Sequence, residues 1–466
     1  MDERIEHVVV LMFENRSFDH MLGHLDQGHL PALDPTRDSV PLDPADAGSA
    51  RVPVFWHESY QDITVDPGHG FEDVMRQLTG REQGWTRPYR LTSNGFVWNY
   101  AKRKNKKGEG PKRANEIMGC YPADKVPVLS TLASEFAVCT RYHCSLPSET
   151  WPNRLFAAAG TSYGGMAGNP KNNDGKKTVF DLVEGSGRKS GVFAGDVAQV
   201  LTFGRRMVNR TRQMRHFKGA VRDRKLPSYV FIEPRHFDSP FGKCDSQHPT
   251  SQYFGLLTGT GDVARGERLL AEVYTTLRSV PEVWEKTLLL ITYDEHGGFY
   301  DRVPPPQVLL TGEKGDKHEF PFDLLGPRVP MVAVSPWIEQ GTVEHETTFE
   351  HCSISATVRD VFGITDTLSK RESTAPSLAS LLNRDAPRGA GETPDLAAHA
   401  AAPRAAPELV PPEQPLDDFQ EDLLEMMDEL EGRPRARAAE PPVAGTAAPR
   451  VVEFVERNYP EEPLSR

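Results

Sequence analysis

Apolar residues recur along this chain in two spacings. One is the short unbroken run. Residues 7–13 and 288–293 are apolar almost throughout, too short for helices, and followed by polar or glycine-rich stretches. Each reads as a strand covered on both faces, as in a parallel sheet. Briefer runs at 136–139, 192–194, 229–233 and 328–335 read as further strands. The other spacing is helical. It marks 72–78, 127–135 with Val128, Leu129 and Leu132 on one face, and 265–277 with Leu269, Val273, Tyr274 and Leu277. It marks 352–362 as well, with Ile354, Val358 and Val361 inward. Pro152 suits a first helical turn, Leu155 to Ala159 continue it, and Gly160 ends it. Strands alternating with helices predict an α/β fold with a mostly parallel central sheet.

The pattern changes near residue 386, where Ala, Pro, Arg and Glu take over. A domain over 1–385 is therefore expected, followed by a disordered extension over 386–466 that buries little surface. Inside the extension, residues 416–430 place Leu416, Phe419, Leu423, Met426, Met427 and Leu430 on one helical face with acids opposite. That amphipathic helix can dock on the domain or on a partner.

Composition narrows the function. A net charge of −12 over 466 residues argues against a nucleic-acid partner. Basic stretches at 101–113, including Lys106 and Lys107, and at 205–225 read first as solvated faces. Their sharper alternative is contact with an anionic membrane surface. The 5 cysteines include no CxxC pair, so neither a zinc knuckle nor a disulfide framework is indicated. No apolar run approaches the ~18 residues that span a bilayer, and no apolar leader precedes the strand at His7. As written, the sequence predicts a cytoplasmic protein, with export by another route left open.

Both principal strands end in chemistry. The first delivers Glu14-Asn15-Arg16-Ser17-Phe18-Asp19-His20, the second Asp294-Glu295-His296-Gly297-Gly298-Phe299-Tyr300-Asp301. Ligands in open α/β sheets bind at the carboxyl ends of strands. If the two strands are neighbours, Glu14, Asn15, Asp294 and Glu295 converge, and anionic oxygens so close repel one another unless a cation lies among them. His69, in the turn Asp66-Pro67-Gly68-His69, reads equally as a functional group or as a loop histidine on a carbonyl. His248 is a further loop candidate. Thr150, taken alone, reads as an ordinary helix cap; its functional alternative is a nucleophile beside free helix N–H groups.

Taken together, these motifs resemble the phosphoesterase family, which includes bacterial phosphatidylcholine-type phospholipases C, an acid phosphatase branch and plant non-specific phospholipases C. The resemblance rests on residues 14–20, on Thr150-Trp151-Pro152-Asn153-Arg154, on 292–301, and on Arg328-Val329-Pro330 through Ser335-Pro336-Trp337. The Asp-Pro-Gly-His turn at 66–69 and Glu233-Pro234-Arg235 also match. Coverage runs from about residue 5 to 385, and residues 255–261 depart from the pattern as an insertion after His248.

The resemblance implies an alkaline-phosphatase-like α/β/α sandwich. It implies a divalent ion (Ca, Mg, Mn or Zn) on Glu14, Asn15, Asp294 and Glu295, with Thr150 as the metal-linked nucleophile. His69, His248 and His296 would surround the phosphate, and Asn153 would touch substrate. The expected reaction is phospholipase C cleavage of a phospholipid to diacylglycerol and a phosphorylated headgroup. The alternatives are a broad phosphomonoesterase and, more distantly, a non-catalytic phosphate- or lipid-binding protein.

Overall fold

In a computed structural model of the chain, the β-branched and aliphatic run His7–Phe13 forms a strand, β1, whose residues from Val8 onward are buried. The structure describes residues 2–60, 63–104, 108–168, 173–238, 242–249, 262–308, 310, 312–401, 416, 418–432 and 443–460. Seven more strands join β1: Ala137–Cys139 (β2), Ser190–Ala194 (β3), Thr211–Gln213 (β4), Tyr229–Glu233 (β5), Thr287–Tyr293 (β6), Met331–Val334 (β7) and Thr342–Glu344 (β8). Their order across the 8-stranded sheet is β8-β2-β7-β6-β1-β5-β3-β4.

β1 lies at the centre, parallel to β6 on one side and β5 on the other. The register pairs His7 with Thr287 and Phe13 with Tyr293, so the two acidic tips emerge side by side. The region read as a strand over 328–335 is the shorter Met331–Val334, and it runs antiparallel to both β6 and β2. Apolar patterning marks a buried strand but carries no direction, so the sequence could not say which strand of the mostly parallel sheet would run antiparallel.

Every residue of β6 is buried, so both sheet faces are covered. The helices Pro127–Glu135, Asp262–Arg278 and Cys352–Phe362 supply Leu129, Leu132, Val273, Leu277, Val358 and Val361 to the same core as the strands. The α/β class with a mostly parallel sheet, expected from the alternating pattern, is the fold observed.

Two helices of the extension after residue 386 pack on the domain, and the first of them is the amphipathic segment for which docking on the domain was one of the two expectations. Helix Asp418–Glu431 buries Leu423, Leu424, Met426 and Met427 in the main core, and helix Ala444–Asn458 adds Val451, Phe454 and Val455. Composition averaged over the segment hides these few apolar residues; their helical spacing is what lets them pack. The inserted residues 255–261, Lys106 and Lys107, and tail residues 402–415, 433–442 and 461–466 lie outside the described residues. No helix among the described residues is long and apolar enough to cross a membrane.

Two motif ends are tied together away from the strand tips. The fully buried Arg328 pairs with Asp19 at 2.9 Å and with Asp301 at 2.8 Å. It also donates to the Gln27 side chain (2.7 Å) and to the Thr140 carbonyl (3.0 Å). A buried guanidinium is tolerated only when paired and hydrogen-bonded, and here both conditions hold. This clamp fixes the turns that follow β1 and β6 to each other.

Candidate active site

The chain turns sharply at the tip of β1. Asn15 adopts a left-handed conformation (φ 57°), an unusual one for a residue with a side chain. Its backbone N–H donates to Asp294 Oδ1 at 3.0 Å, which locks the two strand tips together. Beyond β6, Gly297 and Gly298 also have positive φ, 65° and 73°. A Cβ on Gly297 would come within 2.1 Å of the Asn15 carbonyl oxygen; one on Gly298 would come within 2.7 Å of the Gly68 carbonyl oxygen. Only glycines let the turn after β6 approach both the β1 tip and the turn that carries His69.

Thr150 begins a ten-residue helix, Thr150–Ala159, that Gly160 closes in the left-handed conformation. The residue before it, Glu149, makes no side-chain cap. The Thr150 hydroxyl lies 3.2 Å from Asn15 Oδ1. Asn153, expected to touch substrate, is spent elsewhere. Its carboxamide accepts from Leu146 N–H (3.0 Å) and donates to the carbonyls of Ser148 (2.8 Å) and Glu149 (3.1 Å). It is fully buried and holds the loop that presents Thr150.

The carboxylates divide into two groups. Glu295 takes His69 Nδ1 on one oxygen at 2.7 Å. Its other oxygen accepts from Gly297 N–H at 2.7 Å and lies 3.2 Å from His296 Nδ1. His296 Nε2 meets Gln77 Oε1 at 2.8 Å. Glu14 is held by Gln199 (2.9 Å), by His236 Nδ1 (3.2 Å) and by Arg154 (3.4 Å). His248 is buried on this second side, close enough for its charge to act on Glu14. The three expected histidines are therefore placed around the strand tips, two on Glu295 and one toward Glu14.

Electrostatics follow the same division. Burial pushes the Glu14 carboxyl up, but His236 and Arg154 outweigh it and hold the group at about 2. Burial likewise opposes the charge on Glu295, and His69 and His296 bring it to about 2. Burial would discharge His69, yet Glu295 carries its pKa to about 10. His236, facing Glu14, is raised to about 9 in the same way. Asp294 goes the other way. Burial raises it to about 6, Arg154 opposes that, and the neighbouring Glu14 and Glu295 add to it.

Reading the sequence for sites overlooked Arg154, His236 and Gln199. Arg154 Nε donates to Asp294 Oδ2 at 2.8 Å, and its Nη1 lies 4.0 Å from Glu233. A basic residue on the buried face of an Ala-rich helix was a usable signal, because such a charge needs acids around it. His236 follows the end of β5, where strand-end chemistry is expected.

The donor chemistry fits a hard divalent ion. Asn15 Oδ1 and the Thr150 hydroxyl are adjacent neutral oxygens beside the carboxylates at the joined strand tips, the donor type that such an ion takes. Among the described residues, no three His, Cys, Asp or Glu side chains are already spaced as a metal centre. Each carboxylate is occupied by the chain's own donors.

The phosphoesterase family model matches residues 5–187 and 192–365. The chain belongs to the phosphoesterase family. Among similar family members is non-specific phospholipase C3 of Arabidopsis thaliana, 37% identical over 82% of this chain and 74% of that protein. Non-specific phospholipase C4 of the same plant is 34% identical over 92% of this chain and 80% of its own length. Phospholipase C A of Mycobacterium tuberculosis (strain ATCC 25618 / H37Rv) is 27% identical over 77% of this chain and 73% of that protein. A solved structure described as a protein in the alkaline phosphatase superfamily from Vibrio parahaemolyticus aligns over 51% of this chain and 60% of its own. Its TM-score is 0.32 at 12% identity.

Proposed function

We propose that this phosphoesterase is a phospholipase C, cleaving phospholipids to diacylglycerol and a phosphorylated headgroup through a Thr150 nucleophile. The observation that carries this reading is the Thr150 hydroxyl, placed at an uncapped helix N-terminus 3.2 Å from Asn15 and beside the joined tips of β1 and β6. The relatives named phospholipase C support the substrate class.

A phosphodiester is an anion with a poor alkoxide leaving group, so the site must neutralise charge and supply a proton. The N–H groups of the Thr150 helix favour a phosphoryl oxygen. Thr150 gives up its hydroxyl proton to solvent as its oxygen attacks in line, the P–O bond to diacylglycerol breaks, and water then cleaves the phospho-threonine and returns a proton to Thr150. His69 is only partly exposed and holds its proton against Glu295; it is suited to protonate the departing diacylglycerol oxygen. His248 acts from the Glu14 side, and His296 orients Glu295. A divalent ion held by Glu14, Asn15, Asp294, Glu295 and Thr150 would supply Lewis acidity toward the hydroxyl and the phosphoryl oxygens.

The test is a metal-replete assay comparing phosphatidylcholine with p-nitrophenyl phosphate, with Thr150→Ala as the blank. Diacylglycerol release that disappears in the variant is expected. Retained release in Thr150→Ala would remove Thr150 from its role. Monoester cleavage without lipid cleavage would make the enzyme a phosphomonoesterase working from the same residues.

A further inference from the structure

A cavity of about 610 Å³ is lined in part by Glu233. It sits between the segments that follow β3 and β5, the helix Asp262–Arg278 and the C-terminal helix Ala444–Asn458. This volume is within the range of small-molecule sites. One part of the wall is basic, with Arg215, Lys218, Arg235 and Arg268; another is apolar, with Val451 and Val455.

Acids also line the cavity, but the chain already uses them. Asp196 Oδ2 accepts the N–H groups of His236 (2.9 Å) and Phe237 (2.8 Å). Asp245 accepts Arg235 N–H at 2.6 Å, and Glu233 accepts Gln199 N–H at 2.9 Å. Glu272 is 3.7 Å from Arg268. Two polar atoms are left over. Arg235 Nε is buried without an acceptor, and Asp196 Oδ1, on a side chain only 3% exposed, is buried without a donor. A buried guanidinium N–H with no acceptor is costly, and an anion would relieve it.

We infer that this cavity binds a phosphate monoester carried on an apolar chain, separately from the active site. The phosphate oxygens accept from Arg235 and the neighbouring basic groups. The remaining P–OH of the monoanion donates to Asp196 Oδ1, a bond that a carboxylate head cannot make. The chain lies along Val451 and Val455. The assignment does not depend on which ester the active site cleaves.

Isothermal titration of the full-length Thr150→Ala protein with dodecyl phosphate, below its micelle concentration, tests this. One saturable site per chain is expected. Dodecanoate should bind at least ten-fold more weakly, and dodecanol and inorganic phosphate should show no measurable site. The double variant Lys218→Gln/Arg268→Gln, which changes one exposed and one partly exposed side chain, should weaken dodecyl phosphate at least ten-fold. Val455→Trp, checked for an intact melt, should block it. Equal binding of inorganic phosphate would overturn the apolar half of the assignment, and equal binding of dodecanoate the phosphate half. Dodecyl phosphate binding that is absent, or unchanged in the charge variant, would overturn the site itself.

Discussion

Arg154 is surrounded by Asp294, Glu14 and Glu233, and its side chain is 6% exposed. Removing one partner from a buried ion cluster leaves uncompensated charge, at a cost of about 3–5 kcal/mol. Arg154→Met is therefore expected to lose that much stability in denaturant unfolding, far more than an exposed Arg-to-Met change such as at Arg222. His143 gives a residue-scale prediction about pH. Its Nδ1 meets the Gly326 carbonyl at 3.0 Å, and burial depresses its pKa to about 3. Unfolded, the imidazole titrates near 6.5, so protons bind the unfolded chain first as pH falls. Its contribution to stability is complete above pH 6.5 and is lost as pH drops toward 3. Between pH 7 and pH 4 the wild-type melting temperature should fall further than that of His143→Asn, which keeps a donor but cannot take up the proton.

At the scale of the element, the turn after β6 concentrates the demands of the site. Gly297→Ala would place a Cβ 2.1 Å from the Asn15 carbonyl oxygen, so the turn must move away from β1. A displacement of about 1 Å at a catalytic group costs roughly 100-fold in rate. We expect kcat to drop by about that factor while circular dichroism still reports a folded protein. This turn was also the most legible part of the chain: two unbroken apolar runs, each ending in acids, read as buried strands whose tips converge if they are neighbours, and the register makes them neighbours. What remained hidden was relational. The direction of β7 cannot be read from its own residues, because a buried strand has the same pattern either way. The resemblance implied a substrate contact for Asn153, and only the loop geometry shows its amide bonded to backbone groups. His236 was hidden because nothing in a lone histidine after a strand announces Glu14 as its partner.

The whole molecule includes its C-terminal helices. Trp151, next to Thr150, donates from its indole N–H to Asp422 at 2.9 Å, and Gln420 donates to the His236 carbonyl at 2.7 Å. Helix Asp418–Glu431 thus touches both the helix that begins at Thr150 and the segment that holds Glu14. A chain ending at residue 401 would expose the packing sites of Leu423, Met427, Val451 and Phe454, each worth about 1.5–3 kcal/mol when fully buried. The truncated protein should melt several degrees lower and bind a hydrophobic dye. An unchanged melt would show that the helices contribute little to the stability of the core.

The central position of β1 also sets a timetable for biosynthesis. The strand that pairs with His7–Phe13 along its whole length, Thr287–Tyr293, is synthesised 280 residues after it. At ~5–20 residues per second, this largely apolar strand waits on the order of tens of seconds for that partner. During that interval β1 is a ready template for wrong pairing. Yield of soluble enzyme should therefore depend on nascent-chain chaperones, and on slow, cool expression, more steeply than the stability of the finished fold would suggest.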